Sequence, residues 1–322
     1  MRVTAAGSLP GDDFRGALAA MTEVLPEVLP LPELPARGVG SGMTGRALGI
    51  IDGLGFDIQP AGWRLTAAPG ADHRRARARW RHDLDDAEEL LQGFDGVLKI
   101  GLAGPWTLAA TVERPRGDRL LADHGARREL AQALTEGWFQ LREDLKRRIP
   151  GAKVLLQLDE PALTAVGDGT IPTASGFGRH RRVEAPELDG ALKPLADGAW
   201  LHCCAPGKWL PVAERAGFAA AAVDTRLFRD STEIDALVQW AQAGRGLALG
   251  VVDTAAGRVQ GVDELVREIL RVLRPLELSV PSFDSGVLLT TACGMASWKL
   301  ADVPGQLAAL RRAATLVAED LQ

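Results

Sequence analysis

Ala152-Lys153-Val154-Leu155-Leu156-Gln157-Leu158-Asp159-Glu160-Pro161 is an apolar run of strand length that closes on two carboxylates and a proline. It follows residues 128–148, where apolar side chains recur at three- and four-residue steps. The hydrophobic period therefore changes from helical to extended within a few residues, as in one βα unit of a parallel sheet. Working outward, short apolar runs of the same kind occur at residues 2–7, 29–34, 96–102, 199–203, 218–223, 246–252 and 287–292. With 152–158 they make eight. Amphipathic stretches at 231–243, 262–273 and 304–317 supply further outer helices. The expectation is an α/β fold, one (β/α)8 TIM barrel over residues 1–322, with its active face at the carboxyl ends of the strands. The second run is the weakest, because Pro26, Pro30, Pro32 and Pro35 each lack a ladder donor.

Composition narrows the function. Hydrophobic residues are 46% and charged residues 25%, and the net charge is -5, which points away from nucleic-acid and membrane-surface partners and toward a small-molecule ligand. The Arg74-Arg75-Ala76-Arg77-Ala78-Arg79 run is followed at once by Asp83, Asp85, Asp86, Glu88 and Glu89. A solvated helix over 70–92 accounts for it. Residues 1–9 read as a strand and lack the basic flank of a signal peptide, and no run reaches membrane-spanning length, so a cytoplasmic location is expected. Three cysteines are too few for a disulfide framework, which leaves their thiols for metal or catalysis. Residues 167–182, rich in glycine and small polar residues, read as a long loop after the fourth strand.

Chemistry-bearing residues stand at the strand ends: Gly7-Ser8, Asp159-Glu160, His202 and Cys204, Asp224, Asp253 and Cys293. In Leu201-His202-Cys203-Cys204 the alternation of an extended chain sends His202 and Cys204 to one side and Cys203 to the other. Imidazole and two thiolates suit zinc, whose tetrahedral shell would leave one position open for a fourth ligand or a substrate. Cys293 is the second thiolate, and Asp224 the natural oxygen ligand. The bland alternative is a packed histidine beside two buried thiols. Of Asp159 and Glu160, neighbours that face opposite ways, Asp159 is the functional candidate and Glu160 a brace for a loop or a backbone amide. Trp106 and Trp298 are the tryptophans placed to stack on a flat ligand.

These motifs together resemble the catalytic half of cobalamin-independent methionine synthase. Thr4-Ala5-Ala6-Gly7-Ser8-Leu9-Pro10 is similar to that family's opening strand and turn, and Gly104-Pro105-Trp106-Thr107 and Gln157-Leu158-Asp159-Glu160-Pro161 match two of its distinctive segments. The resemblance implies a zinc-dependent methyltransferase of methionine synthesis, acting on homocysteine or a similar thiol. It places Gly7 and Ser8 at the substrate carboxylate and Asp159 at its amino group. It also places His202, Cys204, Cys293 and Asp224 on zinc, with Asp224 one methylene shorter than the family's glutamate, and Asp253 beside the reacting centre as an orienting group.

The departures matter as much. Ala255 stands where the family carries its acid histidine and Thr111 where it carries the pterin-stacking tryptophan. The glutamate of the second βα loop has no clear match in Gly38-Val39-Gly40-Ser41-Gly42-Met43. The family's folate-binding amino-terminal barrel has no counterpart within these 322 residues. A polyglutamyl methyltetrahydrofolate donor is thus not expected, and three donors stay open: a methylated corrinoid protein, another small methyl or alkyl donor, or a non-polyglutamylated folate. Two other readings stay open: a thiol alkyltransferase or decarboxylase of the wider superfamily that includes uroporphyrinogen decarboxylase, and a non-catalytic zinc- or thiol-binding barrel.

Overall fold

The computed structural model describes residues 1–276 and 286–320. Eight parallel strands follow one another round a barrel: β1 (Arg2–Val3), β2 (Val28–Pro30), β5 (Val97–Ala103), β6 (Lys153–Asp159), β7 (Trp200–Cys203), β8 (Ala220–Asp224), β9 (Gly246–Val252) and β10 (Val287–Thr291). β10 pairs with β1, so the ladder runs from β2 through β5 and round to β1. The last gap, between β1 and β2, is closed beyond the strands: Ser8 bridges Glu33 in parallel, Glu33 N donates to the Gly7 carbonyl (3.0 Å) and Leu9 N to the Glu33 carbonyl (2.8 Å). The expected (β/α)8 barrel is the observed fold.

The prolines of the second strand have a place in this closure. Leu31 N donates to Lys99 O in β5, whereas the Val28 carbonyl turns the other way, to Thr4 Oγ1. Alternation gives Pro30 the orientation of Val28, toward the side without a continuous ladder, so its missing N–H forfeits no sheet bond.

The outer ring is α1 (Phe14–Val24), α2 (Met43–Leu48), α3 (Ala71–Leu90), α4 (Pro105–Thr111), α5 (His124–Arg148), α6 (Leu163–Asp168), α7 (Ala185–Leu192), α8 (Leu210–Ala216), α9 (Ser231–Gln242), α10 (Val262–Leu276) and α11 (Asp302–Asp320). Their apolar faces and the outward side chains of the strands form one large core, while Ala222, Ala248 and Leu288, in register on three neighbouring strands, make a small separate cluster packed by Trp200. The α3 charges face neighbouring helices: Arg15 of α1 reaches Asp86 and Glu89, and Arg148 of α5 reaches Asp85 and Glu88. An antiparallel hairpin, β3 (Gly55–Gln59) with β4 (Gly62–Thr66), lies between α2 and α3 and was not foreseen. Its alternating Phe56, Ile58, Trp63 and Leu65 are a strand signal, obscured by the short interval between two helices.

Candidate functional site

The strand ends converge on a cavity of about 150 Å³ lined by Ser8, Glu33, Met43, Gln157, Asp159, His202, Cys204 and Cys293. β7 sends His202 toward it and buries Cys203 in the core between barrel and helices. Cys204 leaves the strand end and meets Cys293, two residues past β10, with the two sulfurs 3.5 Å apart. Cys293 is held there by local geometry. The register slips between Thr290 and Thr291, Thr291 Oγ1 donates to the Cys293 carbonyl (2.8 Å), and Ala292 crosses β9 at Gly250, where a Cβ would stand 2.6 Å from the Ala292 Cα. Only glycine admits that approach.

The two thiols are hydrogen-bonded, with Cys204 donating to Cys293. Hydrogen bonding from Cys204 lowers the Cys293 pKa, against burial and with help from the charge of His202, while the same contact and burial raise that of Cys204. Burial, aided by the charge of Glu160, pushes the Cys203 thiol up to about 12, which makes it inert. Burial opposes charge on His202, but the Asp159 carboxylate outweighs it and raises the pKa. The protonated ring donates from Nδ1 to Asp159 Oδ1 (2.8 Å) and from Nε2 to the Ala292 carbonyl (3.2 Å).

Two thiolates about 2.3 Å from one tetrahedral zinc stand about 3.8 Å apart, so the sulfurs fit that ion. With the side chains as they stand, no three His, Cys, Asp or Glu among the described residues form a metal-holding group. His202 would complete the set by giving up the Nε2 proton now directed at Ala292, the residue next to Cys293, while keeping Nδ1–H on Asp159. A carboxylate-backed histidine of that kind is the usual orientation of a metal-ligating imidazole.

Asp159 is part of a longer chain. Its Oδ1 also accepts from Gln157 Nε2 (2.8 Å), and the Gln157 amide oxygen accepts from Lys99, whose Nζ also donates to the Ala6 carbonyl (3.1 Å). An ammonium can only donate, so Lys99 fixes which end of the Gln157 amide faces Asp159. Among the described residues none donates to Asp159 Oδ2, which is left for a ligand. Lys99 is wholly buried, and burial lowers its pKa to about 7 despite the charge of Asp159. The unfolded chain, with a lysine pKa of about 10.4, therefore binds more protons between those values. Stability should rise with pH across that window, by at most about 1.4 kcal/mol per pH unit. Lys99→Met is expected to lack this slope in urea unfolding at pH 7, 8 and 9; parallel slopes in parent and variant would refute the assignment.

Glu33 was missed from sequence, where no glutamate was matched in the second βα loop. It lies three residues past β2, accepts from Ser8 Oγ (2.6 Å) and lines the cavity, with burial raising its pKa against the nearby Arg46 charge. Its signal was the strand-end position of Pro32-Glu33-Leu34, masked by the prolines. Gly7, at φ +132°, makes the turn that brings Ser8 to Glu33.

Asp224 and Asp253 do not line this cavity. Asp224, 2% exposed, gives both carboxylate oxygens to Arg226, which also pairs with Asp253. Asp253 accepts from the amides of Ala255 (3.0 Å) and Ala256 (3.3 Å) and so caps the turn after β9. Glu160, wholly buried, accepts from Trp106 N (2.9 Å), Thr107 N (2.7 Å) and Thr107 Oγ1 (2.6 Å), which makes it the anchor of α4. Trp106 and Trp298 are packing residues whose indole N–H groups bond the carbonyls of Leu188 and Thr254. A larger concavity of about 430 Å³ lies outside the barrel, against α5 and α7, away from the thiols.

Fold and site together define a (β/α)8 barrel with a thiol–imidazole–carboxylate cluster at its strand ends. No protein-family model and no curated protein matches the sequence. Among solved structures, 99% of the chain superposes on 98% of a B12-independent methionine synthase from Shewanella sp. W3-18-1 in complex with selenomethionine, with a TM-score of 0.62 and 14% identity. A methyltransferase from Methanosarcina mazei is similar over 93% of this chain and 84% of its own, with a TM-score of 0.56 and 17% identity. At such identities the likeness is one of fold. No helix among the described residues is long and apolar enough to cross a membrane.

Proposed function

We propose that the chain is a zinc-dependent methyltransferase that activates homocysteine or a related amino thiol. The observation that carries this is the Cys204–Cys293 sulfur pair, 3.5 Å apart beside His202 in a cavity that also holds two carboxylates. The fold shared with a methionine synthase and a methyltransferase supports it. Bound zinc would lower the pKa of the substrate thiol and keep it nucleophilic at neutral pH. Cys204, Cys293 and His202 would hold the ion, with Asp159 fixing the imidazole. Asp159 Oδ2 and Glu33 stand as acceptors for an ammonium group, which selects an amino thiol over a plain one.

Titration of the zinc-loaded protein with homocysteine, followed at the zinc X-ray absorption edge, tests this. One additional sulfur in the metal's shell is expected. A chain that binds no zinc, or a loaded site that takes up no sulfur, would remove the proposal.

The donor follows from Ala255, exposed on the turn capped by Asp253, and from Thr111 at the end of α4. Neither can protonate or stack on a pterin. Homocysteine methylation with the triglutamate of methyltetrahydrofolate is expected to run far below about 1 per second, a modest enzyme rate, and methylated corrinoid should serve better. Steady-state assay with both donors decides; ordinary rates with the folate would contradict the reading.

A further inference from the structure

Asp224 ends β8 where a fourth zinc ligand would be expected, yet its carboxylate is fully engaged. Arg226 Nε donates to Oδ1 (2.9 Å), Nη2 to Oδ2 (2.6 Å), and the Arg226 backbone amide to Oδ1 again (3.0 Å). The guanidinium is fixed on its far side by Asp253, itself tied down by the amides of Ala255 and Ala256. The intervening Thr225 is pinned as well, its hydroxyl shared between the Gly250 carbonyl and Glu268 and its own carbonyl bound by Arg271. Releasing Asp224 would break a two-pronged ion pair around a carboxylate that is 2% exposed and strand an arginine beside Asp253 alone. Taking one partner from such a pair leaves the Asp224 carboxylate's neighbour without its counter-charge, which is unfavourable.

We infer that Arg226 is a positioning residue that withholds Asp224 from the metal, so that zinc in this protein has three protein ligands and a fourth position open before any thiol arrives. This rests on the zinc reading above. Its chemical consequence is charge. Zinc with two thiolates and a neutral imidazole carries no net charge, whereas a carboxylate ligand would make the site anionic and would have to leave when a substrate thiolate enters. Such a neutral site would take the substrate thiolate in exchange for the water that ordinarily fills the fourth position of a three-ligand zinc, with no protein ligand displaced and the thiol proton going to solvent.

The experiment measures zinc affinity by chelator competition for the full chain, Asp224→Asn, Arg226→Met and the double variant. Asp224→Asn is expected to hold zinc within about 3-fold of the parent, far less than even outer-shell losses of about 10- to 100-fold. Arg226→Met should free the carboxylate and tighten zinc by about 10-fold or more, and the double variant should return to the parent value. A merely structural role for Arg226 predicts no tightening. Loss of about 100-fold or more in Asp224→Asn alone, in a protein that is still folded at the assay temperature, would make Asp224 a ligand and overturn the inference while leaving the zinc reading intact. If Arg226→Met does not fold, the single Asp224 variant still decides. A parent chain that takes up no zinc overturns the zinc reading and the inference with it.

Discussion

Cys204→Ser and Cys293→Ser are each expected to weaken zinc binding by on the order of 1,000-fold or more, while Cys203→Ser leaves it within a few-fold. Soft sites hold zinc by about 10–16 kcal/mol over all their ligands at neutral pH, so one thiolate in a set of two thiolates and an imidazole carries a large share. The difference among three cysteines, two of them adjacent in sequence, comes from strand geometry. Cys203 belongs to the core between sheet and helices, and Cys204 and Cys293 face each other across the cavity. Competition with a chromophoric chelator measures all three. A strong loss in Cys203→Ser, with Cys204→Ser unaffected, would mean that the chain leaves β7 one residue earlier than the structure has it.

The second large effect is on stability. Glu160→Ala should lower the unfolding free energy by about 3 kcal/mol or more, because it leaves the buried amides of Trp106 and Thr107 and the Thr107 hydroxyl without an acceptor. Each such unsatisfied group costs about 1–3 kcal/mol, and the vacated space adds a cavity term. Glu160→Gln keeps one oxygen acceptor and should lose less. Burial pushes the Glu160 carboxyl up to about 7 against these same donors, a perturbation easily mistaken for an acid catalyst's. The variants separate the two roles: a brace alters the urea midpoint and leaves zinc affinity in the folded protein unchanged. A loss below about 1 kcal/mol would show that α4 is anchored elsewhere.

Much of this molecule is legible from its residues in order. The change of hydrophobic period around residues 128–158, repeated along the chain, is enough for a barrel, because a parallel strand buried on both faces and a helix buried on one leave different patterns. The strand ends follow from where each apolar run stops, and with them the placing of His202, Cys204, Cys293 and Asp159 on one face. Alternation also separates Cys203 from its neighbours and Asp159 from Glu160, since the pleat turns successive side chains apart.

What order along the chain could not decide was which strand-end groups touch. Glu33 was hidden because prolines erase the strand pattern; it becomes a cavity residue only when β2 closes the barrel against β1. Lys99 reads as a lysine interrupting an apolar run, and the Ala6 carbonyl and Gln157 amide that make its burial tolerable come from the segment after β1 and from β6. Asp224 has the right chemistry at the right strand end, yet the turn after β8 folds Arg226 back over it. Periodicity tells a side chain's direction, a property of its own backbone. Hydrogen bonds and ion pairs depend on register and closure between segments far apart in sequence, so pairings such as Lys99–Gln157 and Arg226–Asp253 exist only in the folded barrel.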